Sequence, residues 1–214
     1  MTIFDDFRAA ADPVKAIQMR AYMRDQFAFL GIPSPVRRNL SRNFLKTANK
    51  TQIDWSFVDD CWSQAEREFQ YLAIDYLSNR SRVQTPTDIP RLQQLIVTKS
   101  WWDTVDGLDM VVGDIAQRHP EVNPIMIAWS TDDNIWLRRV AIDHQLLRKE
   151  RTDTGLLEQI LINNLGQTEF FINKAIGWIL RDYSKTNPTW VREFIAIHQG
   201  TMASLSIREA SKYL

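Results

Sequence analysis

Two tryptophans, one carboxylate and two cations have side chains suited to a positively charged ligand and to an anion beside it. They are Trp102, Asp106, Arg139, Lys174 and Trp178. A carboxylate attracts a cation directly, and the face of a tryptophan ring attracts it through a cation–π interaction. Aromatic and acidic side chains around one pocket would therefore favour a cationic ligand over a neutral one of the same shape.

A repeat of small residues predicts how these side chains are arranged. Four segments align on one alanine each: Ala73, Ala141, Ala175 and Ala210. The spacings between these alanines are 68, 34 and 35 residues, and Gly107 supplies the missing point. A period of about 34 residues is typical of stacked helix pairs. The landmark residues of tetratricopeptide repeats are absent, so HEAT-like pairs fit better.

Numbered from the small residue of each repeat, the candidate residues fall on one surface. Trp102 and Asp106 lie at −5 and −1, Lys174 and Trp178 at −1 and +3, and Arg139 at −2. Positions four apart share a helix face, and stacking would place these faces side by side. Other readings stay open: tryptophans at helical spacing are commonly core residues, Asp106 can be a helix cap, and Asp106 with Arg139 can be an ion pair between repeats.

Helical spacing of apolar residues runs along nearly the whole chain, and no window alternates as a β-strand would. Breaks at 31–35, 85–90, 119–124 and 186–189 each precede a new helical pattern. The predicted N-caps are Asp54, Asp88, Asp133 and Thr168. We therefore predict an all-α fold, a single solenoid of HEAT-like antiparallel helix pairs over residues 1–214 with a concave binding face.

Composition excludes several classes of protein. One cysteine, Cys61, rules out an internal disulfide framework, and no run of about 18 apolar residues predicts a membrane span. The acidic N-terminal segment lacks the pattern of a signal peptide. Cys61 and the three histidines lack metal-ligand spacing, and there is no phosphate-binding glycine loop. We expect a cytoplasmic monomer, and these residues predict no metal site.

The charge is unevenly distributed although the formal net charge is zero. Residues 1–50 hold nine basic and four acidic side chains, residues 51–133 hold six and fourteen, and residues 134–214 hold eleven and eight. The net charges of these segments are thus +5, −8 and +3. Two cationic segments can bind phosphates while the whole chain stays neutral.

Three separated segments resemble AlkD-type DNA alkylation repair glycosylases, a HEAT-like family. They are SWWDTVD (100–106), WLRRVAI (136–142) and FFINKAIGWILRDYSKTNP (170–188), and YMRDQFAFLGIPSPVRR (22–38) is similar to the family's opening segment. The resemblance implies a bacterial, nucleoid-associated enzyme that hydrolyses the N-glycosidic bond of N3- and N7-alkylated purines in double-stranded DNA without a cofactor. It also implies that the damaged base stays stacked, whereas other glycosylases flip it out.

Matching motifs carry the family's roles onto single residues. Asp106 is similar to the catalytic carboxylate, and Trp102 and Trp178 to the two aromatics that face the lesion. Arg139 is similar to the residue that grips the DNA backbone, and Tyr22 to an aromatic that closes the site. Phosphate contacts are also expected from further basic residues: Arg37, Arg38, Lys174, Arg181 and Lys185.

The implied chemistry follows from the charge of the lesion. A purine alkylated at N3 or N7 is already cationic and leaves as a neutral base without a general acid. Asp106 would stabilise the developing oxocarbenium sugar and orient the attacking water. The alternative is a non-catalytic HEAT-like scaffold that binds protein or structured nucleic acid. Such a scaffold has no need to assemble two tryptophans, Asp106 and Arg139 on one surface.

Overall fold

The computed structural model describes residues 2–48 and 50–214, and the predicted all-α fold is confirmed. This part of the chain contains thirteen α-helices and no β-strand beyond an isolated parallel bridge between Ala28 and Glu66. Two compact units divide after Gln84, and each is described by itself. A single domain over residues 1–214 stays a prediction.

Within the described residues, none of the helices combines the length and the apolar character that crossing a membrane requires.

The first unit contains five α-helices. They are α1 (Ile3–Ala9), α2 (Pro13–Tyr22), α3 (Ser34–Thr47), α4 (Trp55–Ser63) and α5 (Arg67–Ser78). The buried carboxylate of Glu68 on α5 accepts backbone N–H groups of Leu30, Gly31 and Ile32 at 2.9, 2.8 and 3.0 Å. These three bonds satisfy the buried charge and hold the segment before α3, because a buried carboxylate without partners would be strongly destabilising.

The second unit contains eight α-helices. They are α6 (Ile89–Val97), α7 (Trp102–Arg118), α8 (Asn123–Trp129), α9 (Ile135–Asp143), α10 (Thr154–Ile162), α11 (Phe170–Ser184), α12 (Pro188–His198) and α13 (Ser204–Ala210). Helix α7 packs on α9, α9 on α11, and α11 on α13. Helices α8 and α10 pack on each other and both contact α9. Every second helix of this unit thus joins one layer, as the period predicts.

Small residues allow the layer of α7, α9, α11 and α13 to pack closely. Ala141, Ala175 and Ala210 are fully buried, whereas Gly107 is only half-buried. The close approach needs glycine elsewhere: a Cβ at Gly177 would lie 2.5 Å from Cβ of Glu209, and one at Gly113 would collide with the carbonyl oxygen of His144. The layer of alternate helices agrees with the predicted period, and the role of Gly107 as a contact point stays a prediction.

The N-cap residues of the helices could not all be predicted from residue propensity alone. Asp54 caps α4 as predicted, accepting the Phe57 N–H at 3.0 Å. The caps of α9 and α11 are the next residues along the chain, Asn134 and Glu169, and the predictions of Asp133 and Thr168 were wrong by one position. Asp88 makes no side-chain cap for α6 and instead accepts the N–H of Thr85 at 2.8 Å.

Candidate functional site

Asp106 on α7 and Arg139 on α9 form a two-pronged ion pair. Arg139 Nε donates to Asp106 Oδ1 at 2.6 Å, and Nη2 donates to Oδ2 at 2.8 Å. This is the fork geometry in which a planar guanidinium binds a carboxylate most strongly. The remaining Nη1 donates to the carbonyl oxygen of Phe171 on α11 at 2.7 Å. One arginine therefore joins three neighbouring helices of this layer, α7, α9 and α11, and the prediction that Asp106 and Arg139 share a face is confirmed.

The two partners of this ion pair differ in exposure. The Arg139 side chain is 1% exposed and that of Asp106 is 21% exposed, so the carboxylate is the part a ligand can reach. Burial raises the pKa of Asp106, opposed by the hydrogen bonds from Arg139. Burial alone would lower the pKa of Arg139, but Asp143 and Asp106 raise it above its ordinary value. A contact between Arg139 and a DNA phosphate stays a prediction, and it requires the guanidinium to leave this buried position.

The two predicted tryptophans are half-buried and not core residues. The ring centroid of Trp178 lies 5.1 Å from Cζ of Arg139 and 5.7 Å from Nζ of Lys174, within the range of cation–π attraction. Trp102 lies one turn before Asp106 on the same face of α7. The register therefore brings Asp106, Arg139, Lys174 and Trp178 to one surface of the second unit.

Two carboxyl groups behind the ion pair escaped the sequence analysis. Asp109 is 1% exposed and Asp143 is fully buried. Oxygen atoms of Asp106, Asp109 and Asp143 lie within 4.8 Å of one another, and Asp143 Oδ2 lies 3.9 Å from Arg139 Nη2. The oxygens of Asp109 and Asp143 accept no hydrogen bond from any described residue. Burial raises the pKa of Asp143 to about 7 and that of Asp109 well above its ordinary value, where the Asp143 charge adds to the effect.

A signal for these two acids was present in the sequence. Asp109 and Asp143 both lie at +2 of their repeats, as does Asp75 in the first unit, and the three are 34 residues apart. The sequence analysis considered only positions −5, −2, −1 and +3 and therefore missed them. Together with Asp106, Asp109 and Asp143 are the described residues whose spacing could hold a metal ion, although Arg139 already brings a positive charge to the group.

Two predicted DNA contacts converge on a carboxylate that the sequence analysis did not single out. Lys174 Nζ and Arg181 Nη1 each lie 2.9 Å from an oxygen of Glu209, and Lys212 Nζ lies 2.7 Å from the same group. Hydrogen bonds from Lys174 and Lys212 lower the pKa of Glu209 to about 2. Three cations around one carboxylate leave two net positive charges. A fourth basic residue, Lys185, lies 5.0 Å from the ring of Tyr213.

An aromatic cluster joins the N-terminal ends of the three helices that carry the site residues. Trp101, Trp136 and Phe171 stand at the start of α7, α9 and α11, with ring centroids 5.9, 5.2 and 4.9 Å apart. Phe171 also supplies the carbonyl oxygen that binds Arg139. These rings hold the three helices in register, and this role was not predicted from the sequence.

The first unit carries the other three predicted DNA contacts. Tyr22, the last residue of α2, is 72% exposed. Arg37 is buried, forms an ion pair with Asp75 at 3.2 Å and lies over the ring of Tyr71 at 4.7 Å, whereas Arg38 is exposed. Arg37 is thus engaged within its own unit, while Tyr22 and Arg38 are accessible.

Comparison with known proteins adds a family to this geometry. The family model of DNA alkylation repair enzymes matches residues 3–214. Among solved structures the chain is similar to a predicted DNA alkylation repair enzyme from Enterococcus faecalis, with 38% identity, 95% of this chain and 96% of that chain covered, and a TM-score of 0.88. It is also similar to AlkD2 from Streptococcus mutans, with 15% identity, 82% and 89% covered, and a TM-score of 0.62, which bears on the fold alone. None of the curated proteins matches the chain.

Proposed function

We propose, from the premise that this chain belongs to the family of DNA alkylation repair enzymes, that it hydrolyses the N-glycosidic bond of cationic N3- and N7-alkylated purines in double-stranded DNA. The observation that carries the proposal is the carboxylate of Asp106, held by a buried guanidinium yet 21% exposed. It shares a surface with Trp178, and Trp102 lies one turn away. We further propose that the enzyme works as a monomer without a cofactor, at the bacterial nucleoid.

In the proposed reaction, Asp106 acts by its charge and its position. The alkylated base leaves with its bonding electrons as a neutral purine, and positive charge develops on the sugar. A carboxylate fixed before the reaction stabilises that charge without reorganising, and its free lone pairs can orient a water molecule for attack. The fork with Arg139 fixes the plane of the carboxylate and so supplies this preorganisation.

Selectivity would arise from the positive charge of the lesion. Trp102 and Trp178 would attract a cationic base and sugar through their ring faces, each contributing about 0.5–2 kcal/mol. A neutral lesion such as uracil gains neither this attraction nor an easy departure as a neutral base. We expect Tyr22, Arg38, Lys174 and Arg181 to contact the DNA, and Arg139 to act at the lesion-flanking backbone or through Asp106. A contact from Arg37 would require it to leave its buried ion pair with Asp75.

The test is base release from a duplex that contains a single N7-methylguanine, with spontaneous depurination subtracted. We expect wild-type protein to release the base, Asp106→Asn to be slower by about tenfold or more, and the exposed Asp133→Asn control to match wild type. A uracil duplex should give no release. DNA binding without release would favour the scaffold, and efficient uracil release would contradict the argument from charge.

A further inference from the structure

The bidentate ion pair raises a question about the charge at the proposed site. Asp106 and Arg139 carry opposite unit charges with their atoms 2.6 and 2.8 Å apart. Such a pair is close to neutral when seen from a few ångströms away. A developing oxocarbenium sugar needs a negative potential, which Asp106 supplies only weakly while Arg139 neutralises it. Another negative charge must offset Arg139 if Asp106 is to be effective.

Asp143 is placed to supply that charge. Its carboxylate is fully buried, with Oδ2 at 3.9 Å from Nη2 of Arg139. Asp109, equally buried, completes a group of three carboxylates whose oxygens lie within 4.8 Å. If all three were ionised, the group with Arg139 would carry −3 + 1 = −2 in a dry interior, so at least one proton must be bound.

We propose that Asp143 is a positioning residue for Asp106: its buried carboxylate offsets the charge of Arg139, while Asp109 beside it holds a proton. The inference rests on the proposed function for its catalytic consequence. With Asp109 neutral, the charges of Asp106, Asp143 and Arg139 sum to −1. That net charge reaches the exposed oxygens of Asp106 through a low-dielectric interior, where it is weakly screened. Asp143 touches neither substrate nor the reacting atoms.

The surroundings of Asp143 favour this assignment of charges. Asp143 lies within ion-pair distance of the guanidinium, with Oδ2 3.9 Å from Nη2 of Arg139, and this proximity favours the negative charge on Asp143 and the proton on Asp109. Burial raises the pKa of both carboxyl groups, that of Asp143 to about 7, so Asp143 ionises near neutral pH. Among the charges that raise the pKa of Arg139, that of Asp143 has the largest effect.

The charged groups on the helices around α9 form the wider electrostatic surroundings of Asp143. The helices that pack on α9 besides α7 are α6, α8, α10 and α11, and α8 has no ionisable side chain. The other three carry the ionisable residues Arg91, Glu158, Lys174, Arg181, Asp182 and Tyr183. Lys174 and Arg181 pair with Glu209, and Asp182 lies 4.0 Å from Lys185. The neighbouring His144 stays neutral because burial lowers its pKa to about 3.

The matched variants are Asp143→Asn, which removes the proposed charge, and Asp109→Asn, which replaces a neutral carboxyl by a neutral amide. Single-turnover release of N7-methylguanine at saturating protein should fall about tenfold or more in Asp143→Asn at pH 8. Asp109→Asn should stay near wild type. DNA affinity should change little in both. Equal rates for Asp143→Asn and wild type, or a slow Asp109→Asn with a fast Asp143→Asn, would overturn the proposal.

The pH profile separates a charge from a mere packing role. Wild-type release should rise through neutral pH as Asp143 ionises, and this rise should be absent in Asp143→Asn. In Asp109→Asn the rise should stay near its wild-type position, because a neutral amide replaces a neutral carboxyl. The same rise in Asp143→Asn as in wild type would contradict a role for its ionisation.

A measurement independent of activity decides the charge itself. The carboxyl carbon of Asp143, followed by NMR, should titrate near neutral pH both in the wild-type chain and in Asp109→Asn. A carboxyl that stays protonated to pH 9 cannot offset Arg139 and would end the inference even if every variant folds poorly. Thermal stabilisation of wild type by Mg²⁺ or Mn²⁺, lost in Asp109→Asn, would assign the charge balance to a metal ion and equally overturn it.

Failure of the two proposals is distinguishable. Wild-type protein that releases no base refutes the proposed function, and the titration of Asp143 then decides the inference alone. Active wild-type protein with an unaltered Asp143→Asn profile refutes only the inference.

Discussion

Replacing Asp143 by Asn should stabilise the protein at alkaline pH, and the sign follows from proton linkage. The folded protein holds the Asp143 proton up to a pKa of about 7, whereas an unfolded chain loses it near the ordinary value of 3.8. Between these two values the folded state binds more protons than the unfolded state, so the free energy of unfolding falls as pH rises. The contribution is fully present below pH 3.8 and is lost once the pH exceeds about 7.

The magnitude can be worked from the same two values. Each pH unit between them corresponds to about 1.4 kcal/mol, so the full interval is on the order of 4 kcal/mol. Between pH 5 and pH 8 only the part above pH 5 is traversed, or about 3 kcal/mol. This is a large fraction of the roughly 5–15 kcal/mol by which domains are stable. The ion pair with Arg139 is already included, because it acts on the folded-state pKa.

Urea unfolding at pH 5 and pH 8 measures the effect. Asp143→Asn should match wild type at pH 5 within about 1 kcal/mol, since a neutral carboxyl and an amide are nearly isosteric. At pH 8 the variant should be the more stable protein by about 3 kcal/mol. Asp133→Asn, on the exposed surface, should run parallel to wild type. A constant offset between Asp143→Asn and wild type at both pH values would show that Asp143 does not ionise in this range.

Two further outcomes are expected. Arg139→Lys should lower the free energy of unfolding by about 2–4 kcal/mol and slow base release, because an ammonium cannot hold both oxygens of Asp106 and the Phe171 carbonyl at once. Urea unfolding measures the loss of stability, and single-turnover release measures the loss of rate. A loss of DNA affinity with release unchanged would instead support a phosphate contact of Arg139. Binding to duplex DNA should weaken with salt. The logarithm of the binding constant should fall against the logarithm of the salt concentration with a slope of about −3 to −4.5, given about three to five phosphate contacts at −0.9 each. A binding constant that does not change with salt would contradict the DNA interface.

Much of the site could be predicted because two periods coincide in the sequence. The repeat of about 34 residues aligns successive helices, and the spacing of four residues selects one helix face. Together they place Asp106 opposite Arg139 and Lys174 beside Trp178, as the structure shows. This placement can be predicted without knowing the side-chain conformations, because it depends only on which helix face each residue occupies.

The hydrogen-bond partners and charge states of the site side chains could not be predicted in this way. Arg139 is 1% exposed, and its guanidinium binds Asp106 and the carbonyl oxygen of Phe171. The ion pair with Asp106 was one of several readings of the sequence, and no sequence feature pointed to the contact with Phe171. The charges of Asp109 and Asp143 depend on how deeply four side chains from two helices are buried together. Lys174 and Arg181 were expected to contact DNA phosphates, and the structure shows that both bind the carboxylate of Glu209.

Stability and activity should therefore move in opposite directions in Asp143→Asn, and this contrast tests the account more sharply than either measurement alone. A buried negative charge weakens the fold, so its retention in a folded protein requires some compensating benefit. If Asp143 merely packed between helices, removing its charge would stabilise the protein and leave base release unchanged. If its charge offsets Arg139, the stabilised variant must be slower, and its rate must no longer depend on pH near neutrality. A variant that is both less stable at pH 8 and slower would show that Asp143 acts by holding Arg139 in place, and that the potential at Asp106 comes from elsewhere.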